Sequence, residues 1–95
     1  MPICVLREQL ADYDSWRTGF DAHFEANAAE FRDAGITLEA VYRDADDPNA
    51  ILTTIRFASR EQGKAMLTDP ASRAAMEANG TDLSTLRVEW YEDPS

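Results

Sequence analysis

The chain has 95 residues, 44% of them hydrophobic, with two Trp, three Tyr and four Phe, which suits one compact core over residues 1–95 and leaves no room for a second domain. Eighteen acidic against nine basic side chains give a formal net charge of -9, which repels phosphate backbones and anionic lipid and argues against nucleic-acid or membrane partners. One Cys and one His exclude an internal disulfide and a Cys-based metal cluster.

"PICVLREQL" sets Ile3, Val5 and Arg7 against Cys4, Leu6 and Glu8, the alternation of a strand over residues 2–9. Charge enters at Arg7 and Glu8, too early for a secretory apolar segment, and no run approaches a membrane-spanning length, so the expected location is cytoplasmic. Asp12 or Asp14 can cap a helix predicted over residues 12–33, which Gly35 would close in the left-handed conformation. "ITLEAVYRD" and "AILTTIRFA" flank "ADDPN", whose Asp, Pro and Asn all favour a turn, so residues 36–57 form a hairpin.

Ser59 and Gln62 make a capping-box pair for the next helix. Pro70 interrupts that helix and restarts it, with Asp69 as N-cap and Asn79-Gly80 as the stop. "STLRVEWYED" is the last strand, over residues 84–92, with Leu86, Val88 and Trp90 on one face. The order βαββαβ is the α+β, ferredoxin-like pattern: a four-stranded antiparallel sheet with helices on one face. The other face carries enough apolar and long side chains that a second copy is expected to cover it, giving a homodimer through the sheet.

The first helix holds the candidate site. At helical spacing Tyr13, Phe20, Phe24, Ala28 and Phe31 gather on one side, Trp16 flanks them, Asn27 falls within their arc and His23 at its edge. A buried amide or imidazole without a partner costs about 1–3 kcal/mol, so both need a partner in protein, water or ligand. Two readings stay open. In one, Asn27 bonds strand backbone or a buried water and His23 snorkels to solvent. In the other, they form the polar corner of an aromatic-lined pocket for a small molecule. His23 would then be a general base, Asn27 would orient a carbonyl or enolate oxygen, and Trp16, Phe20 and Phe24 would be the walls. Arg43 would hold developing negative charge if its strand face points inward. The structural alternative for Arg43 and Arg56 is a cross-strand or inter-subunit ion pair with Glu39, Glu89 or Glu8. Cys4 reads as a small buried apolar residue, and Met66 and Met76 as core filler. The chain has no GxSxG, HExxH, CxxC, phosphate loop or GxGxxG, so no cofactor and no metal are expected.

The segment from Trp16 to Gly35, with "GFDAH" at its start, Phe31 and "AG" at its end, followed by "VYRDADDPN" from Val41 to Asn49, resembles small members of the dimeric α/β barrel superfamily similar to antibiotic biosynthesis monooxygenases. The resemblance implies a ferredoxin-like protomer packed sheet to sheet with a second copy, and a pocket between sheet and helices. It also implies cofactor-independent chemistry on a small aromatic or enolisable metabolite, monooxygenase-like or cyclase/isomerase-like. Oxygenases of that group hold an ionised substrate with Asn, Trp, Tyr and Arg side chains, and Asn27, Trp16 and Arg43 are of the right type. Haem-degrading relatives use a proximal His, but His23 has no supporting motif. The alternative function is a non-catalytic, small-molecule-binding or scaffold dimer.

Overall fold

A computed structural model of the chain describes residues 1–94. The order is β1 (Pro2–Leu10), α1 (Tyr13–Ala26), α2 (Ala28–Ala34), β2 (Thr37–Arg43), β3 (Ala50–Arg56), α3 (Arg60–Thr68), α4 (Pro70–Ala78) and β4 (Thr81–Glu92). The sheet runs β2-β3-β1-β4 and every pairing is antiparallel, so the ferredoxin-like topology expected from the sequence is the one observed. No helix among the described residues is long and apolar enough to cross a membrane.

Strand parity decides what each face does. Directly opposed residues in an antiparallel sheet share a face. Cys4 lies opposite Ile55, Leu6 opposite Thr53 and Glu8 opposite Ile51, and all six are buried toward the helices. One core cluster joins Cys4, Leu6, Ile55, Phe57 and Leu67, with Phe24, Met66 and Trp90 packed on it; a second joins Leu10, Trp16 and Ile51 with Tyr13, Phe20 and Val41. Burial pushes the Cys4 thiol up to about 11, so it remains a protonated, inert core group.

The opposite face carries Ile3, Val5, Leu52 and Tyr42, with Tyr42 61% and Tyr91 51% exposed, and none of them belongs to either helix-packed cluster. Several of its charges are paired, Arg7 with Glu89 at 2.9 Å and Arg56 with Glu39 at 3.1 Å and Asp93 at 3.3 Å, while Arg87 lies opposite Arg7.

The caps fall where the sequence places them. The Asp12 carboxylate accepts the Ser15 N–H at 2.9 Å, and that backbone bond holds its carboxyl below the usual range. Ser59 Oγ accepts the Gln62 N–H at 3.1 Å, while Gln62 accepts the Ala58 N–H at 2.9 Å and donates to the Ala34 carbonyl at 2.7 Å, tying α3 to the end of α2. Asp69 accepts the Ser72 N–H at 3.0 Å ahead of Pro70. Gly35 and Gly80 take φ of 76° and 96°, left-handed values that suit glycine.

Two boundaries differ from the sequence reading. The helix expected over residues 12–33 is two helices, because Asn27 leaves helical geometry at φ -108°, ψ 13°. Its side-chain Nδ2 donates to the His23 carbonyl at 2.8 Å, where the backbone N–H also bonds, so Asn27 terminates α1 rather than joining the aromatic arc. The last strand begins at Thr81, not residue 84. Its register slips between Arg7–Arg87 and Gln9–Asp82, and Thr85 Oγ1 accepts the orphaned Gln9 N–H at 2.9 Å. That bulge lets Thr81 lie opposite Leu10, beside Glu8.

Candidate functional site

Between the helix-covered side of the sheet and helices α1, α3 and α4 lies a cavity of about 470 Å³. Its floor is sheet: Leu6 and Glu8 from β1, Thr53 and Ile55 from β3, and Thr81 at the start of β4. One wall is α1, where Trp16, Gly19, Phe20, His23 and Phe24 recur at steps of three and four and therefore share a face. The other wall is Met66 and Leu67 from α3 with Ser72 and Met76 from α4 and Asn79 at the C-cap of α4. His23, Ala75 and Ala78 line the cavity and are exposed, which places its mouth between α1 and α4.

The aromatic wall is a continuous row of rings in contact. Trp16, only 3% exposed, stacks on Phe20 at 4.5 Å between centroids with the planes 26° apart; Phe20 meets Phe24 tilted at 4.7 Å and Phe24 meets Phe31 tilted at 5.2 Å. Gly19 lets the two walls approach: an added Cβ would overlap the Asn79 carboxamide, whose Nδ2 donates to the Trp16 carbonyl at 3.0 Å.

Glu8 is the one carboxylate on the floor, and it is 8% exposed. Thr81 Oγ1 donates to its Oε1 at 3.1 Å, and among the described residues no Lys or Arg pairs with it. Desolvation pushes its carboxyl above the ordinary carboxylate range, and the Thr81 hydrogen bond opposes this only in part. Thr53, 2% exposed, adds a hydroxyl beside it.

The residues singled out from the sequence divide into two groups. Trp16, Phe20, Phe24 and His23 come together on the cavity wall. The His23 ring stands edge-on to Phe24 at 5.8 Å and lies 5.8 Å from Phe31. Asn27 does not line the cavity; its amide is engaged with the His23 carbonyl and lies 3.5 Å from His23 Nδ1. Arg43 is also outside. It is exposed at the edge strand, its guanidinium 4.0 Å over the Tyr13 ring and its Nε donating to the Pro48 carbonyl at 3.2 Å. Of the cross-strand ion pairs considered for Arg43 and Arg56, Arg56 with Glu39 is the one present among the described residues; Glu89 takes Arg7, and Glu8 pairs with neither.

Thr53 lines the cavity as one of the hydroxyl donors that the strands could offer, whereas Glu8, Thr81 and Asn79 are lining residues that the sequence reading did not select. For Glu8 a signal existed, since its parity matches Cys4 and Leu6, the buried side of β1. Met66 and Met76, read as filler, line the cavity.

By sequence the chain matches no protein-family model and no curated protein. By structure it is similar to a candidate antibiotic biosynthesis monooxygenase from Deinococcus radiodurans, with 20% identity and a TM-score of 0.62 over 100% of this chain and 94% of that one. Another candidate of the same description, from Nitrosomonas europaea, has 13% identity and a TM-score of 0.63 over 100% of both chains. SnoaB, a cofactor-independent oxygenase from Streptomyces nogalater, solved as a single-residue variant, has 15% identity and a TM-score of 0.61 over 99% of this chain and 93% of that one. The shared feature is the fold, which is the ferredoxin-like fold of antibiotic biosynthesis monooxygenase structures.

Proposed function

We propose that the chain is a small cofactor-independent enzyme, monooxygenase-like or cyclase/isomerase-like, acting on a small aromatic or enolisable molecule in the cavity between sheet and helices. The observation that carries this reading is the cavity itself: about 470 Å³, walled by Trp16, Phe20 and Phe24, with a few polar groups on floor and mouth. Ligand sites have this size and composition, an apolar body with sparse polar groups that fix orientation. The likeness to SnoaB adds support for chemistry without a cofactor.

In this reading the aromatic wall holds a flat ring. His23 at the mouth passes protons between ligand and solvent. Asn27 is a positioning residue, fixing the end of α1 that carries His23. Arg43 braces the sheet edge through Tyr13 and stays outside the chemistry. Two copies pack through the open sheet face, where Val5, Leu52 and Tyr42 await cover.

The test is a panel of bicyclic phenols and ketones titrated against Trp16 fluorescence in the Trp90→Phe protein, which has no other Trp. Oxygen uptake and product formation are then followed with every compound that binds. Quenching with turnover that His23→Ala lowers, at a melting temperature within a few degrees of the parent, is the expected result. Quenching with no conversion of any compound would replace the enzyme by a binding module; no quenching at all would remove the site.

A further inference from the structure

We infer that Glu8 is the proton acceptor of this cavity and that its ligand is a neutral molecule with an acidic C–H turned toward the sheet, not an anion. The inference rests on the cavity being a ligand site, and adds to it a catalytic residue and the charge class of the substrate.

The geometry is that of a carboxylate held in apolar surroundings with one anchoring hydrogen bond. Glu8 lies on the floor between Leu6 and Leu10 in strand parity, and Thr81 Oγ1 fixes its Oε1 at 3.1 Å. The groups facing the cavity from every packed element are few. α1 brings His23 at the mouth, β3 Thr53, β4 Thr81, and α4 Ser72 and its C-cap Asn79; α3 contributes only Met66 and Leu67. No Lys or Arg is among them. An anionic ligand would therefore enter an acidic, desolvated space with no counter-charge, which is strongly unfavourable.

A buried carboxylate is instead suited to removing a proton. Desolvation makes it a stronger base than one in water, closer in basicity to the weak carbon acids it would serve. In the step itself a Glu8 oxygen forms an O–H bond with the ligand's α-hydrogen as the C–H bond breaks. The C–H electron pair moves onto the carbonyl oxygen, giving an enolate. The Glu8 carboxylic acid then exchanges its proton with solvent through the cavity mouth and delivers a solvent-derived proton back to carbon, which restores the ketone and the carboxylate with no oxidant or reductant consumed. The Thr53 hydroxyl on the same floor is a donor for the enolate oxygen.

The experiment uses 2-tetralone, a neutral enolisable ketone, and 2-naphthoate, an anion of similar shape. Binding is read from Trp16 fluorescence in the Trp90→Phe background, and catalysis from deuterium entering the α-position of 2-tetralone in D₂O by proton NMR. The expected result is binding of 2-tetralone, 2-naphthoate weaker by about tenfold or more, and catalysed exchange that Glu8→Gln lowers by about 10²-fold or more while 2-tetralone still quenches Trp16. Thr81→Val supplies a second variant. It removes the hydrogen bond that favours the carboxylate, so the pH inflection of the exchange rate is expected to move upward, which a merely structural role for Thr81 would not produce.

Binding of 2-tetralone without catalysed exchange, exchange unchanged in Glu8→Gln, or an inflection that Thr81→Val leaves in place would overturn the role of Glu8 while leaving the cavity as a ligand site. Binding of 2-naphthoate as tight as 2-tetralone would overturn the charge class alone. If neither probe reaches Trp16, the cavity reading fails and this inference fails with it.

Discussion

Replacing Gly19 by Ala sets two effects of similar size against each other. In an exposed helix interior the exchange stabilises by roughly 0.8–1.0 kcal/mol, because Ala loses less backbone freedom on folding. Here the new Cβ would overlap the Asn79 Oδ1 and sit 2.8 Å from its Cγ, so the carboxamide must rotate away. Rotation breaks the Asn79 Nδ2 bond to the Trp16 carbonyl, 3.0 Å long, at a cost of about 0.5–1.5 kcal/mol. The two nearly cancel, and the expected change in melting temperature is within about 5 °C in either direction for a chain of this size. Ligand binding does not share the cancellation, since Asn79 and Gly19 both line the cavity and the displaced amide narrows it. Calorimetry on Gly19→Ala, Asn79→Ala and the double variant, with the fluorescence titration on each, checks both halves. In the Asn79→Ala background the helix-propensity gain is expected to reappear in full. A full gain of stability in Gly19→Ala alone, with binding untouched, would refute the claim that Gly19 exists to admit Asn79.

Glu8→Gln is expected to stabilise the protein at neutral pH. A carboxyl raised by burial contributes stability that is fully present below its unfolded-state pKa and lost as pH rises through the higher folded value. Urea melts of parent and variant should therefore diverge only as pH climbs out of the acid range; a constant offset at all pH values would mean that desolvation of Glu8 is not the cause. Asp69→Ala removes the acceptor for the Ser72 N–H between α3 and α4 and is expected to cost about 1 kcal/mol, or some 4–8 °C in melting temperature. An unchanged melting temperature would show that Pro70 alone starts α4. Leu52→Glu puts a charge opposite Tyr42 on the open face and should convert a dimer to monomer in sedimentation velocity. A parent protein that already sediments as a monomer contradicts the sheet-to-sheet assembly.

Most of the fold was legible because its signals are local. Asp12, Ser59 and Asp69 cap the helices they precede, since a side-chain oxygen reaches only the next few N–H groups and spacing alone specifies the bond. The strands follow from alternation, and the aromatic face of α1 from helical spacing, which is why Trp16, Phe20 and Phe24 are legible in the sequence as one wall. Asn27 shows where local reading stops: a helical wheel assumes the helix continues, and here the side chain ends it by bonding the His23 carbonyl. The floor of the cavity was less accessible still. Glu8 and Thr81 come from strands 73 positions apart, and Thr81 reaches Glu8 only through a bulge that no periodicity encodes. The sequence by itself determined the order of helices and strands, the caps and the aromatic wall, because those depend on neighbours along the chain. Tertiary structure alone decided which polar groups meet inside, because burial of a carboxylate depends on the register of strands that pair across the whole domain.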